Sequence, residues 1–361
     1  MYKNKTIAVV VPAYNEETQI GMVIETMPDF VDRIIIVNDC SKDKTADVVK
    51  SYIEKSPEKP IPEVEKPKEK TIYNTADFVV EEINKKELEK FPKWEITEEG
   101  NKQLVLIDLK ENSGVGGAIA SGYKWCKDHK IDCTAVMAGD GQMDPNELES
   151  IIKPVVEEDI DYVKGNRLIH QSAKLVIPKQ RFIGNSILSI LTKLASGYWH
   201  VSDTQTGYTA ISLKALNAIK IYDIYPRYGM PNDMLVKLNI AFCTLREVEI
   251  KPVYNVGEKS KMKVAKIIRP ILWLLLKSFY KRLWQKYFFR DFHPLFLLYH
   301  FAFFLLIASI PYGIKLLMLT FSGRDANPVT VIVFALLFIT GFQSLFFAMW
   351  MDIQDNERLY K

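Results

Sequence analysis

From Thr6 to about Val253 the chain alternates short β-branched and aliphatic runs with stretches whose apolar positions recur at helical spacing. Strands are expected at 6–11, 33–37, 104–107, 133–137 and 161–167. Helices are expected from the turn at Asn15 to about Met27, from Thr45 onward, and from the Glu111–Ala118 turn through His129. This rhythm predicts an α/β domain, a mostly parallel sheet covered on both faces. It is interrupted between about 56 and 103, where Lys, Glu and Pro dominate and Pro57, Pro60, Pro62 and Pro67 crowd together. We expect a solvated, charged insertion there, with one helix over Thr75–Leu88 and an extended Pro-rich lead; a regulatory or partner-binding element is the alternative.

The pattern changes again near the C-terminus. Pro294–Leu319 and Val329–Met351 each supply about 20 largely apolar residues, the length needed to cross a bilayer core. Aromatic residues at their margins suit membrane interfaces. Ahead of them, between Lys251 and Arg290, stand eleven Lys/Arg and the single acid Glu258, interleaved with Ile271, Trp273, Leu276, Tyr280 and Trp284. Such a stretch predicts an amphipathic helix lying in the headgroup layer of an anionic membrane. The expected division is therefore a catalytic domain over 1–256, a basic juxtamembrane region over 257–292, a two-helix transmembrane hairpin over 293–351 and a tail over 352–361. The basic approach predicts that the catalytic domain and both termini are cytoplasmic.

Composition adds exclusions. Lys and Arg number 47 against 44 Asp and Glu, and a net charge of +3 gives no reason to expect a nucleic-acid partner. Cys40, Cys126, Cys133 and Cys243 lack metal-ligand or CxxC spacing, so they read as reduced structural residues. No charged leader followed by an apolar run opens the sequence, so no signal peptide is expected.

The candidate chemistry sits where strands stop. The run ending at Met137 closes on Ala138-Gly139-Asp140-Gly-Gln142, the run at 33–37 closes on Asn38-Asp39, and that at 161–165 closes on Asn166-Arg167. In open α/β sheets, ligands collect beyond the carboxyl ends of the strands. Two acids and one cation thus converge on one crevice. The Gly-rich turn at 111–118 opens a helix and has the character of a phosphate cradle, but it lacks the Walker lysine and the dinucleotide spacing.

In order along the chain stand Pro12-Ala-Tyr-Asn-Glu16, Val37-Asn-Asp39, Asn112-Ser-Gly-Val-Gly116, Gly139-Asp-Gly-Gln142, Gly165-Asn-Arg167, Pro178-Lys-Gln-Arg181, Asp203-Thr-Gln-Thr-Gly-Tyr208 and Gly257-Glu-Lys-Ser-Lys261. In these motifs the chain resembles inverting family 2 glycosyltransferases with the Rossmann-like GT-A fold, above all the polyprenyl-phosphate sugar synthases such as dolichyl-phosphate mannose synthase. The resemblance covers about residues 5–263 apart from the insertion. It implies a nucleotide-sugar donor, GDP- or UDP-linked, held by Pro12, Tyr14, Glu16, Val37, Asp39, Ala138, Gly139, Asp140, Gln142, Arg167, Lys261 and Lys263. It implies Mg²⁺ or Mn²⁺ on Asp140 and Gln142, and a catalytic group of Asp203, Arg181 and Asp233. In that reading Asp203 orients the sugar or the acceptor, and Arg181 and the Lys259 to Lys263 cluster grip the acceptor phosphate. Asp233 is either a base, as in relatives that use hydroxyl acceptors, or a carboxylate at a helix start.

Three departures stand out. The usual Asp-x-Asp reads Ala138-Gly-Asp140, Asn38 replaces a common Asp, and Val256 stands where an Arg is often found. The leading expectation is transfer of one hexose, mannose from GDP-mannose, to polyprenyl (dolichyl) phosphate at the cytoplasmic face of the bilayer. A UDP-linked sugar such as glucose is the alternative. A polymerising synthase and a noncatalytic membrane scaffold are further rivals.

Overall fold

The computed structural model describes residues 1–60, 69, 71–253 and 264–361. Lys261, Lys263 and the Gly257–Lys261 motif lie outside the described residues. In chain order the elements are β1 (Ile7–Ala13), α1 (Ile20–Glu25), β2 (Arg33–Asn38), α2 (Thr45–Ile53), α3 (Thr75–Glu87), β3 (Trp94–Thr97), β4 (Leu104–Leu109) and α4 (Gly114–Asp128). Next come β5 (Cys133–Val136), α5 (Leu148–Glu157), β6 (Tyr162–Asn166), α6 (Ala173–Val176), α7 (Lys179–Ser196), β7 (Thr209–Ser212), α8 (Leu213–Ala218), α9 (Met230–Ile240) and β8 (Leu245–Glu249). The C-terminal part is α10 (Val264–Trp284), α11 (Pro294–Phe321) and α12 (Pro328–Glu357).

The eight strands form one sheet in the order β3-β4-β2-β1-β5-β7-β6-β8. The central strands pair in parallel, Val9 facing both Ile34 and Ala135, while β3 and β7 run antiparallel to their neighbours. Residues of β1, β2 and β4 are buried on both sheet faces, as a covered parallel sheet requires. One face packs on α4 and α9 and the other on α1, α2 and α5. Against α4 the fit is close enough that a Cβ on Gly122 would meet Val10 at 2.4 Å.

The insertion is more than a solvated flap. Its helix α3 falls where expected, but Trp94–Thr97 pairs with β4 and extends the sheet by an edge strand. Trp94 packs on the core while Glu95 pairs with Lys110, so the strand is amphipathic, a signal too short to stand out from its charged surroundings.

The two apolar helices form a hairpin whose large side chains face outward, including Phe301, Phe304, Ile307, Leu336, Phe346 and Phe347. A hairpin in a soluble core would bury these residues; here they suit lipid. Small residues line the helix contact, and a Cβ on Gly341 would meet Leu306 at 2.9 Å.

The last ten residues do not form a free tail. Helix α12 continues to Glu357, and beyond it the chain pairs with β8, Leu245 N donating to Leu359 O and Lys361 N to Leu245 O at 2.7 and 2.9 Å. Arg282, one of the eleven basic residues of the 251–290 stretch expected to lie at the headgroups, turns inward instead. Its guanidinium makes two 2.7 Å bonds to the two oxygens of Asp352 and donates to the carbonyls of Ala195 and Leu194 at 3.0 and 3.1 Å, with both charged groups fully buried. Beside it, Lys286 and Asn239 both donate to Asn356 Oδ1, at 2.6 and 2.7 Å. These bonds tie α7, α9, α10 and the membrane helix α12 into one joint.

Candidate active site

The loops after β1 and β2 are laced together by polar groups. Asn15 and Cys40 adopt positive φ, 56° and 57°, which turns each chain sharply at its strand end. Asn15 N donates to Ser41 Oγ at 3.0 Å, Lys42 N to Asn15 Oδ1 at 2.8 Å, and Glu16 N to Thr45 Oγ1 at 2.9 Å. These bonds hold Pro12, Tyr14 and Glu16 half-buried along one wall of the crevice, above buried Val37. Helix α1 therefore starts at Ile20, later than Asn15 and the Glu pair suggest, because those residues serve the loop.

Asp39 is buried, and its carboxylate is already engaged. Oδ1 accepts from Ser113 N and Oγ at 2.6 and 3.0 Å, and Oδ2 from Gly114 N at 2.9 Å. The residue expected to hold the nucleoside thus caps α4. Three N–H groups of the Gly-rich turn are thereby already taken, since Ser113 and Gly114 donate to Asp39 and Gly116 N donates to Pro226 O at 2.9 Å.

Beyond β5, a Cβ on Gly139 would stand 3.1 Å from Pro12 O, so Ala138–Asp140 lies against the end of β1. Gly141 takes φ 72°, a value only glycine adopts without cost, and the turn folds back so that Gln142 N donates to Asp140 Oδ1 at 3.1 Å. Met143 and Asp144 then reach the loop before β7: a Cβ on Gly207 would meet Met143 Cε at 3.5 Å, and Tyr208 Oη donates to Asp144 O at 3.0 Å. This contact brings the acid-bearing turn to the loop that carries Asp203.

Asp203 is fully buried and clasps Arg167. Arg167 Nε and Nη2 donate to its two oxygens at 2.8 and 3.1 Å, and Arg167 N adds a third bond at 3.2 Å. Burial pushes the Asp203 carboxyl up, but the Arg167 charge and hydrogen bonds outweigh it and hold the group below the usual range. Beneath this pair lie Glu247, which accepts from Ser202 N, Asp203 N and Asn166 Nδ2 at 2.9 Å each, and the fully buried Lys164, bonded to Thr206 O. Burial pushes the Lys164 ammonium down to about 8. These two cations and two carboxylates together support the loop at 202–206.

The sequence profile described as glycosyl transferase family 2 matches residues 8–69 and 85–220, more than half of the chain. The chain belongs to glycosyl transferase family 2. Its sheet and crevice are the GT-A arrangement, and the protein is a glycosyltransferase. Among curated relatives, it is 29% identical over 258 residues to a UDP-N-acetylglucosamine–dolichyl-phosphate N-acetylglucosaminyltransferase of Methanococcus voltae, covering 70% of this chain and 87% of that one. It is 23% identical over 296 residues to a dolichyl-phosphate beta-glucosyltransferase of Trichomonas vaginalis, covering 77% and 74%. Among solved structures, glucosyl-3-phosphoglycerate synthase from Mycobacterium tuberculosis aligns with a TM-score of 0.48 at 16% identity, over 77% of this chain and 80% of that one.

In this glycosyltransferase the structure gathers Pro12, Tyr14, Glu16, Val37, Asp39, Ala138, Gly139, Asp140 and Gln142 at neighbouring strand ends, with Arg167 and Asp203 across the β7 loop. The backbone of Arg181 lies in the first turn of α7, and its side chain lies outside what is described. Asp233 lines a cavity that also includes Ser113. It is buried at the start of α9, where Oδ2 accepts from Tyr225 N at 2.9 Å and from Lys237 at 2.5 Å. It stands in the first turn of α9, and both of these bonds are to residues within eight positions of it. Among the described residues no three His, Cys, Asp or Glu side chains gather as a metal-binding group. Sequence reasoning missed Lys164 and Glu247, whose β-strand context gave no sign of burial. It also missed the outer face of α7, where Ile183, Ile187 and Ile190 are each more than half exposed while Leu188, Leu191 and Leu194 pack toward α10 and the hairpin. Apolar positions on both faces at 3- and 4-residue spacing were the available signal.

Proposed function

We propose that this glycosyltransferase moves a single hexose from a UDP-linked donor, N-acetylglucosamine or glucose, to a polyprenyl (dolichyl) phosphate at the membrane surface, with inversion at the anomeric carbon. The observation that carries this reading is α7. Its inner face packs with α10 and the membrane hairpin, while its outer face exposes Ile183, Ile187 and Ile190, as α10 exposes Trp273, Leu276 and Tyr280. A lipid-borne acceptor lying along that surface delivers its phosphate to the strand ends. The donor assignment follows the names of the curated relatives, one using UDP-N-acetylglucosamine and another a glucosyltransferase. They replace the expectation of mannose, and GDP-mannose becomes the runner-up.

A phosphate monoester carries nearly two negative charges at neutral pH, its second pKa being about 6. Such a nucleophile needs alignment more than deprotonation, which agrees with an Asp233 occupied by Tyr225 and Lys237. In this reading Arg167, fixed by Asp203, presents its guanidinium edge to phosphate, and the first turn of α7 places Arg181 near the acceptor. A cation of the Mg²⁺ type is commonly held by one or two carboxylates together with substrate phosphates, so Asp140 and Gln142 suffice as the protein's share. Such an ion supplies charge neutralisation for the departing diphosphate. The cytoplasmic placement of the catalytic domain and termini belongs to the same proposal and rests on the basic approach to the hairpin.

The test uses membranes containing the full chain, polyprenyl phosphate and labelled UDP-N-acetylglucosamine, UDP-glucose or GDP-mannose, with Mn²⁺ or EDTA. Labelled lipid from a UDP-sugar that vanishes with EDTA is the expected result. Labelled lipid from GDP-mannose alone would restore the mannosyl reading, and label without lipid would refute the acceptor.

A further inference from the structure

We infer that a second anion site, adjoining the crevice at Ser113, lies between the end of the insertion, the start of α4, the 222–226 loop, α9 and the juxtamembrane helix α10, and that it takes a phosphate-bearing ligand. These elements enclose an open cavity of about 420 Å³. It sits toward the β3–β4 edge of the sheet, whereas Arg167 and Asp203 belong to the opposite, β6–β7 side.

Charge is the first argument. Lys90, Lys237, Lys277 and Lys281 line the cavity with the acids Asp223 and Asp233, which leaves two positive charges. The acids are not spread evenly. Asp233 binds Lys237 at 2.5 Å, and Asp223 bridges Lys281 and Lys237 at 3.0 and 3.6 Å. Lys90 lies over the face of Tyr222, at 4.1 Å from its centroid, and among the described residues neither Lys90 nor Lys277 has a carboxylate partner. The two uncompensated ammonium groups therefore come from different walls, one from the insertion and one from α10. Lysine is a point-charge donor that suits phosphate without fixed bidentate geometry.

Placement is the second argument. On α10, Lys277 shares its stripe with Trp273 and Tyr280 at the spacing i−4 and i+3, and both are exposed. Leu274, one turn from Lys277, supplies an apolar wall. A group entering between Lys90 and Lys277 thus meets two cations beside the surface this protein turns toward lipid. The shared chemistry is a phosphate ester, whose source is either an anionic phospholipid headgroup or a soluble phosphate. The 222–226 loop also touches the active-site frame, because Pro226 O accepts from Gly116 N in the helix that Asp39 caps.

The full chain in neutral detergent is titrated with dihexanoyl phosphatidylglycerol, dihexanoyl phosphatidylcholine and glycerol 3-phosphate, with binding read by native mass spectrometry. Saturable binding of phosphatidylglycerol, at least tenfold weaker in the Lys90→Gln/Lys277→Gln double variant, is expected. Both side chains are exposed, so the variant keeps the fold, which its unfolding midpoint verifies. Equal binding of glycerol 3-phosphate would identify the phosphate alone as the ligand; binding of the lipid only would identify the headgroup. Absence of saturation, equal affinity for phosphatidylcholine, or an unchanged double variant would overturn the site.

Discussion

Replacing Asp203 with Asn tests whether the buried clasp on Arg167 serves both stability and transfer. The substitution keeps shape but turns one acceptor oxygen into a donor. Oδ2 now accepts from Arg167 N and Nε, and Oδ1 from Arg167 Nη2 and Gln205 N, so in either amide orientation two donors face a third. Among the described residues, Lys164 then keeps Glu247 as its counter-charge. Removing one partner of a buried ion pair costs about 3–5 kcal/mol. At roughly 2–4 °C per kcal/mol for a domain of this size class, the unfolding midpoint should fall by roughly 6–20 °C. Activity should fall as well. A lost charge-assisted hydrogen bond is worth about 1.5–3 kcal/mol, or roughly 10- to 150-fold in kcat/KM. Transfer is measured well below the lowered midpoint, per mole of folded protein, beside Asp233→Asn. A destabilised Asp203→Asn with wild-type turnover would refute the Arg167 role. Loss of turnover in Asp233→Asn alone, with its fold intact, would restore Asp233 as a base.

Asp140→Ala should reduce turnover by at least a hundredfold and abolish its response to added Mn²⁺, with little change in the unfolding midpoint; retained metal-dependent transfer would remove Asp140 from the metal site. Asp352→Ala strands Arg282 without a counter-ion inside the joint between α10 and α12, so the midpoint should drop by an amount equivalent to about 3–5 kcal/mol, and limited proteolysis near the C-terminus should accelerate. Lys164 gives a pH signature. Its folded pKa of about 8 lies below the ordinary 10.5, so between these values the unfolded chain binds more protons and this lysine makes the fold more stable as pH rises. In Lys164→Met that rise between pH 8 and 10.5 should disappear relative to wild type in urea titrations; parallel curves would show that Lys164 is not buried as an ammonium.

The strand runs at 33–37, 104–107 and 133–137, the strand-end acids and the two apolar spans were legible because each is written in a local, repeated signal. A strand buried on both faces is continuously apolar, a bilayer-crossing helix is long and apolar, and the residue that follows such a strand stands at the crevice. What the acids do there was not legible. Asp39 caps α4, Asp203 holds Arg167, and Asp233 binds Lys237, because each partner lies 4 to 75 residues away and the choice among partners is made by packing. The same holds for Trp94–Thr97, whose four residues become a strand only because β4 offers a free edge, and for Arg282, whose charge belongs to the membrane surface by composition and to Asp352 by geometry. The sequence by itself determined where the chain is apolar and which elements that makes. Only the tertiary structure decided which charges face ligand and which face one another, since a buried charge must find its partner wherever the fold brings one within reach.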